Sequence, residues 1–209
     1  MVKIKIAPGH DREVLSAVVD AVHPVQISAD ANGAYLELED LEWLDELSLA
    51  FVEQPFSAAH TPAQLGERAA GLNTPVALDE SIGSLEDMVR LAEVGAASLV
   101  SIKPLRLGGI ESSVEIGRAA RAAGLEVFVG GMLETGIGRA GALAVASALR
   151  GPFPTDLGPS GSYFDVDICE PIETDAAGRI SAPQGVGLGR TPSPDLLERF
   201  TTEEIHLRR

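Results

Sequence analysis

Cysteine, histidine and positive charge are scarce in this 209-residue chain, and each scarcity removes a class of function. The one cysteine, Cys169, cannot close an internal disulfide. A strand-like run starting at Val2 leaves no room for a secretory leader, so a reducing cytoplasm is the expected location. The four histidines (His10, His23, His60 and His206) share no zinc-ligand spacing with that cysteine. Lys and Arg number 16 against 31 Asp and Glu, and a net charge of -15 argues against nucleic acid or an anionic membrane surface as partner. No apolar run is long enough to span a bilayer. What is left, 45% hydrophobic and 22% charged, has the composition of a globular protein able to bury one good core.

Short β-type runs alternate with longer Ala-, Leu- and Glu-rich stretches. The runs are VKIKI (2–6), VQISAD (25–30), LAFVEQ (49–54), PVALDE (75–80), SLVSIK (98–103), LEVFVG (125–130) and, more weakly, FPTDLG (153–158). Between them DREVLSAVVDAV, LEWLDELSL, TPAQLGERAA, SLEDMVRLAEVG, IESSVEIGRAARAAG and GIGRAGALAVASALRG carry helical spacing. Near-continuous apolar strands alternating with helices predict a parallel sheet covered by helices, over residues 1–158. Residues 159–209, rich in Gly, Pro and Ser as in SAPQGVGLGRTPSP, read as a tail packing on that barrel, with one short helix expected at PDLLERF. GIGRAG and GVGLG lack the context of a dinucleotide fingerprint and read as packing and loop glycines.

The run FVEQPF breaks from apolar residues into Glu53 and Gln54 just before Pro55, and other runs end in the same way. Lys5, Asp30, Glu53, Asp79 and Lys103 follow one another at intervals of 25, 23, 26 and 24 residues, one strand-helix unit each. Each ends its strand, the end that faces the active site in a βα barrel. Five successive charged tips suit a closed ring better than an open sheet, where some would be splayed apart. Alternation places Lys3 with Lys5, Ser28 with Asp30, Ala77 with Asp79 and Ser101 with Lys103, each pair on one face.

Three carboxylates meeting within about 4 Å would repel by roughly 4 kcal/mol per pair at an effective dielectric near 20. Two lysines offset part of this. Oxygen ligands from three strands suit a hard divalent ion, Mg²⁺ first and Mn²⁺ as a possibility. Such an ion, flanked by lysines, points to removal of the proton beside a substrate carboxylate, giving an enediolate. Lys5 is the expected base, its protonation disfavoured by Lys3 on the same face and by the cation, and Lys103 approaches the opposite side.

KIK, ADAN, VEQP, LDES, IKP and GGMLETG, in this order and spacing, resemble the enolase superfamily, most closely its o-succinylbenzoate synthase / N-succinylamino acid racemase group. The resemblance implies an enolase-type (β/α)7β TIM-like barrel from its second strand onward, without the first barrel strand and the N-terminal capping domain. It makes Asp30, Glu53 and Asp79 the Mg²⁺ ligands and Lys5 the base. Lys103 becomes the residue that stabilises the enolate or acts as second acid/base. Asn32 and Glu80 match positions beside the metal, and Gly131 and Met132 match a segment that helps hold a succinyl group, with Lys3 also facing the substrate. The implied activity is metal-dependent dehydration of a succinyl-cyclohexadiene carboxylate in menaquinone biosynthesis. N-succinylamino acid racemisation on the same residues is the alternative, and a metal-binding fragment without turnover is a third. A small carboxylate is then the expected partner. Open sheet edges at VKIKI and at the last strand predict self-association into a homo-oligomer.

Overall fold

The computed structural model describes residues 1–206. Six strands, β1 (Val2–Lys5), β2 (Ile27–Asp30), β3 (Val52–Glu53), β4 (Val76–Leu78), β5 (Leu99–Ile102) and β6 (Glu126–Val129), lie in one sheet in chain order, every neighbouring pair parallel. Between and after them come α1 (Arg12–Val22), α2 (Pro62–Ala69), α3 (Leu85–Glu93), α4 (Ile110–Ala122) and α5 (Gly136–Leu149), with α6 (Pro194–Phe200) near the end. The strand expected over 153–158 is reduced to one parallel bridge between Gly130 and Asp156. Pro152 and Pro154 account for this, since neither has an N–H to give to a ladder.

Local chemistry starts most helices. Thr61 and Gln64 cap each other at the start of α2, and Ser84 and Ser193 accept from backbone N–H groups of α3 and α6. The first turn of α5 borrows its cap, because the Asp167 carboxylate accepts from Gly136 N at 2.7 Å. The tail is therefore fastened to the barrel, and it also sends Ile172 into the core.

LEWLDELSL does not form an α-helix. A 3-10 turn, Glu42–Glu46, takes its place, directly after another at Leu38–Asp40. Leu41 and Leu44, three apart, are both buried, which a three-residue turn puts on one side. Asp45 is held outward: its carboxylate accepts from Thr74 N at 2.7 Å and Oγ1 at 2.8 Å, and from Asn73 N at 3.0 Å and Nδ2 at 2.9 Å. Partial burial opposes the charge, but these four bonds outweigh it and hold the carboxyl below its usual range. A depressed carboxylate pKa stabilises above the unfolded value and is lost as pH falls through the folded one. Asp45 nonetheless remains solvent-exposed, which discounts these bonds, so Asp45→Ala is expected to lower stability by about 1 kcal/mol at neutral pH. Urea titration at pH 7 and pH 3 should show the difference shrinking in acid.

Side-chain parity divides the strands between two cores. Ile27, Ala29, Val52, Val76, Leu78, Val100, Ile102, Val127 and Val129 face the helices and join the main core. Phe51, Ala77, Leu99 and Phe128 form a second cluster inside the sheet, with Phe153 against it. Phe51 and Phe128 stack at 5.1 Å although they belong to the third and sixth strand positions. That contact requires the sheet to curl around them. The curl continues to the sheet's ends, where the Lys3 ammonium donates to the Asp156 carboxylate. The result is a partial βα barrel with an aromatic floor and charged strand tips above it.

Candidate active site

Register explains how the tips come together. Lys5 pairs with Asp30 and Asp30 with Glu53, so these three lie level, while Glu53 pairs with Ala77, two residues before Asp79. Ala77 in turn pairs with Leu99, four before Lys103. This progressive stagger is what strand tilt in a barrel produces, and it keeps all five side chains on the inner face. Asp30, Glu53 and Asp79 are each at most 1% exposed, and Lys103 is 8% exposed. The Lys5 side chain, at 66%, reaches into solvent.

Cations of the chain itself hold these carboxylates. Lys3 Nζ lies 3.1 Å from both Asp30 Oδ2 and Glu53 Oε2, and it also pairs with Asp156. Burial works against the Lys3 charge, yet Glu53, Asp156 and Asp30 together raise its pKa above the ordinary range. Lys5 Nζ donates to Asp30 Oδ2 at 2.7 Å and to the Asn32 side chain. Asn32 passes the connection on, donating from Nδ2 to Glu80 Oε1 at 2.8 Å. On the far side Lys103 Nζ donates to Asp79 Oδ2 at 2.7 Å, and Arg106 donates to the other Asp79 oxygen and to its carbonyl. Burial again opposes the charge, but Arg106 and Lys103 outweigh it and keep the Asp79 carboxyl below its usual range.

Glu53 is the least compensated member, with Lys3 alone beside it. Burial, then Asp30 and Asp79, push its pKa up to about 7 against the partial relief from Lys3. Its Oε1 is buried with no hydrogen-bond partner. Among the described residues no three Asp, Glu, His or Cys side chains converge closely enough to enclose an ion, because the lysines stand between them. The donor set still fits a hard divalent cation: three buried carboxylates on adjacent strands, one with an oxygen that nothing satisfies.

Glycines let the surrounding backbone come close. A Cβ on Gly130 would lie 2.8 Å from Lys103 Cε and 2.9 Å from Ser101 Oγ, so any larger residue there would displace the Lys103 side chain. Gly33 follows Asn32 with φ of 74°, and a Cβ on it would meet Ser57 Cα at 3.0 Å. Beyond Gly130, Gly131 is half-buried and Met132 is exposed at the mouth.

Gln54, Arg106 and Asp156 belong to the site although the sequence reading assigned them no role. Gln54 is buried and joins two strand ends. Its Oε1 accepts from Asp79 N at 3.0 Å and Ser81 N at 3.1 Å, and its Nε2 donates to Phe56 O and Ser81 Oγ. A polar residue between an acidic strand tip and a proline was the available signal. Gln54→Leu is expected to destabilise by about 3 kcal/mol, since two buried N–H groups lose their acceptor. Thermal unfolding would measure it, and unchanged stability would mean that water replaces the amide.

The chain resembles known proteins over nearly its full length. The family model described as enolase C-terminal domain-like matches residues 1–196. An N-succinylamino acid racemase of Thermus thermophilus is 38% identical over 202 residues, covering 96% of this chain and 54% of that protein. An o-succinylbenzoate synthase of Bacillus subtilis is 36% identical over 209 residues, covering 97% and 55%. The solved structure of a probable mandelate racemase from Alicyclobacillus acidocaldarius superimposes with a TM-score of 0.86 at 40% identity, covering 96% of this chain and 54% of that one. The chain thus spans about half the length of the curated relatives it matches. A family model reaching from the first residue almost to the last agrees with the order of strand tips, and this chain belongs to the enolase C-terminal domain-like family.

Proposed function

We propose that the chain carries the catalytic barrel of a metal-dependent o-succinylbenzoate synthase, dehydrating a succinyl-cyclohexadiene carboxylate for menaquinone biosynthesis. The observation that carries this reading is the order Lys5, Asp30, Glu53, Asp79, Lys103 around a curled sheet, with lysines at both ends of a row of buried carboxylates. Asp30, Glu53 and Asp79 would hold Mg²⁺, or Mn²⁺ in its place. When bound, the ion supplies a Lewis acid that stabilises charge developing on the substrate carboxylate.

Lys5, exposed at the mouth and with its Nζ positioned by Asp30 and Asn32, takes the proton from the carbon beside that carboxylate and gives it to the hydroxyl leaving the adjacent carbon, so that the C–O bond breaks, a C=C bond forms and water departs. Glu80 steadies Asn32 from the next strand end but one. Lys103, buried and held by Asp79, supports the opposite face. Lys3 keeps a fixed positive charge among Asp30, Glu53 and Asp156 and adds to the attraction for an anionic substrate. Gly131 and Met132 receive the succinyl arm.

N-succinylamino acid racemisation is the second reading. A lysine at each end of the site serves it directly, one removing a proton and the other returning it, and the Thermus thermophilus relative bears that name. Offering the cyclohexadiene carboxylate and an N-succinylamino acid in deuterated water with Mg²⁺ tests both. Faster dehydration supports the synthase, and deuterium entry with loss of optical rotation supports the racemase. Failure of both substrates to react overturns both readings.

A further inference from the structure

Arg139 on α5 is among the largest fully buried side chains, and none of the chemistry above uses it. Its Nη2 donates to Met132 O at 3.1 Å, its Nη1 lies 3.3 Å from Glu134 Oε2, and its guanidinium sits 5.7 Å from the centre of the Tyr163 ring. Among the described residues Nε and Nη1 have no hydrogen-bond acceptor.

Glycine geometry shows what this buried cation faces. A Cβ on Gly131 would overlap Arg139 Nη1, whereas a Cβ on Gly130 would press on Lys103. The backbone of this turn therefore passes between two cations, Lys103 on the barrel side and Arg139 behind. Burying a guanidinium with one carboxylate, one carbonyl and the face of one aromatic ring for company is unfavourable, and an apolar side chain of similar volume would fill the space at lower cost. Packing alone does not account for an arginine here. Its charge lies behind a two-glycine turn, the kind of backbone that approaches an anion closely.

We propose that Arg139 is a positioning residue for carboxylate recognition. It fixes the Gly130–Glu134 backbone through Met132 O and Glu134, and it adds positive potential behind the turn that receives the free carboxylate of a succinyl-type ligand. This rests on the reading of Gly131 and Met132 as the succinyl-binding segment and assigns that segment its electrostatic support.

Succinate titrated into the Mg²⁺-supplemented chain, followed by amide shifts, tests the proposal with Arg139→Lys and Arg139→Met. The wild type is expected to bind, Arg139→Lys to stay within about threefold, and Arg139→Met to weaken by about tenfold or more. Amide exchange from Met132 to Thr135 should quicken about tenfold in Arg139→Met. Equal losses in the two variants would mean a packing role only and overturn the proposal, as would unchanged affinity or a wild type that ignores succinate. Should Arg139→Met fail to fold, Arg139→Gln takes its place: it keeps a donor for Met132 O without the charge, and succinate must weaken by about tenfold for the proposal to stand. Charge-dependent succinate binding in a chain that turns over neither substrate would sink the proposed function and leave this inference intact. Turnover with succinate affinity indifferent to Arg139 would do the reverse.

Discussion

Replacing Lys103 by alanine is expected to slow racemisation of an N-succinylamino acid by on the order of a thousandfold, the weight of one acid/base group. The side chain is buried, its Nζ fixed on Asp79 Oδ2, and no other lysine stands at that end of the row. Lys5→Ala should stop proton abstraction from the other side by a similar factor while Mg²⁺ binding survives. The two variants separate the reactions. A synthase needs the Lys5 proton transfer and uses Lys103 for its charge, so Lys103→Arg would retain part of the dehydration and none of the racemisation. Deuterium entry followed from each enantiomer reads both steps, and a wild-type rate in Lys5→Ala would remove Lys5 as the base.

Glu53→Gln is expected to stabilise the metal-free chain at pH 8 even as it damages the site. The Glu53 pKa is raised from 4.5 to about 7, so the folded state binds that proton more tightly than the unfolded chain does. Its favourable contribution is complete below the unfolded value and is lost as pH rises through the folded one. Over that window the metal-free protein should lose about 3 kcal/mol from this group. Glutamine keeps the shape and a polar end without the buried charge, so the slope should flatten and stability at pH 8 should rise. Denaturant titrations at pH 5 and pH 8 measure the slope. Addition of Mg²⁺ should reverse it in the wild type and stabilise the variant less at the same concentration.

Much of this site could be read from the chain because two periods coincide. Alternation along a strand selects the inner face, and the strand-helix repeat brings successive tips to one rim, so Lys5, Asp30, Glu53, Asp79 and Lys103 needed no long-range information. Other parts depend on curvature. Lys3 and Asp156 meet across 153 positions only because the sheet curls around Phe51 and Phe128. Arg106 reaches Asp79 from a loop whose path no periodicity dictates. Arg139 lies inside GIGRAG, where small residues point to packing, and its role emerges only once the turn before α5 folds over it. The 3-10 turns at 38–46 mark a third limit: their leucine spacing satisfies a helix as well as a tighter turn, and the four bonds of Asp45 favour the turn.

The claim on which the rest depends is that Asp30, Glu53 and Asp79 together hold a divalent cation. Calorimetric titration of the wild type and Glu53→Gln with MgCl2 at pH 6.5, in two buffers of different ionisation enthalpy, tests it most directly. The account predicts saturable binding at one site, release of a proton from Glu53 as the ion enters, and affinity weakened about tenfold or more in the variant. Equal affinity in the two proteins, or no saturable heat in the wild type, would contradict it.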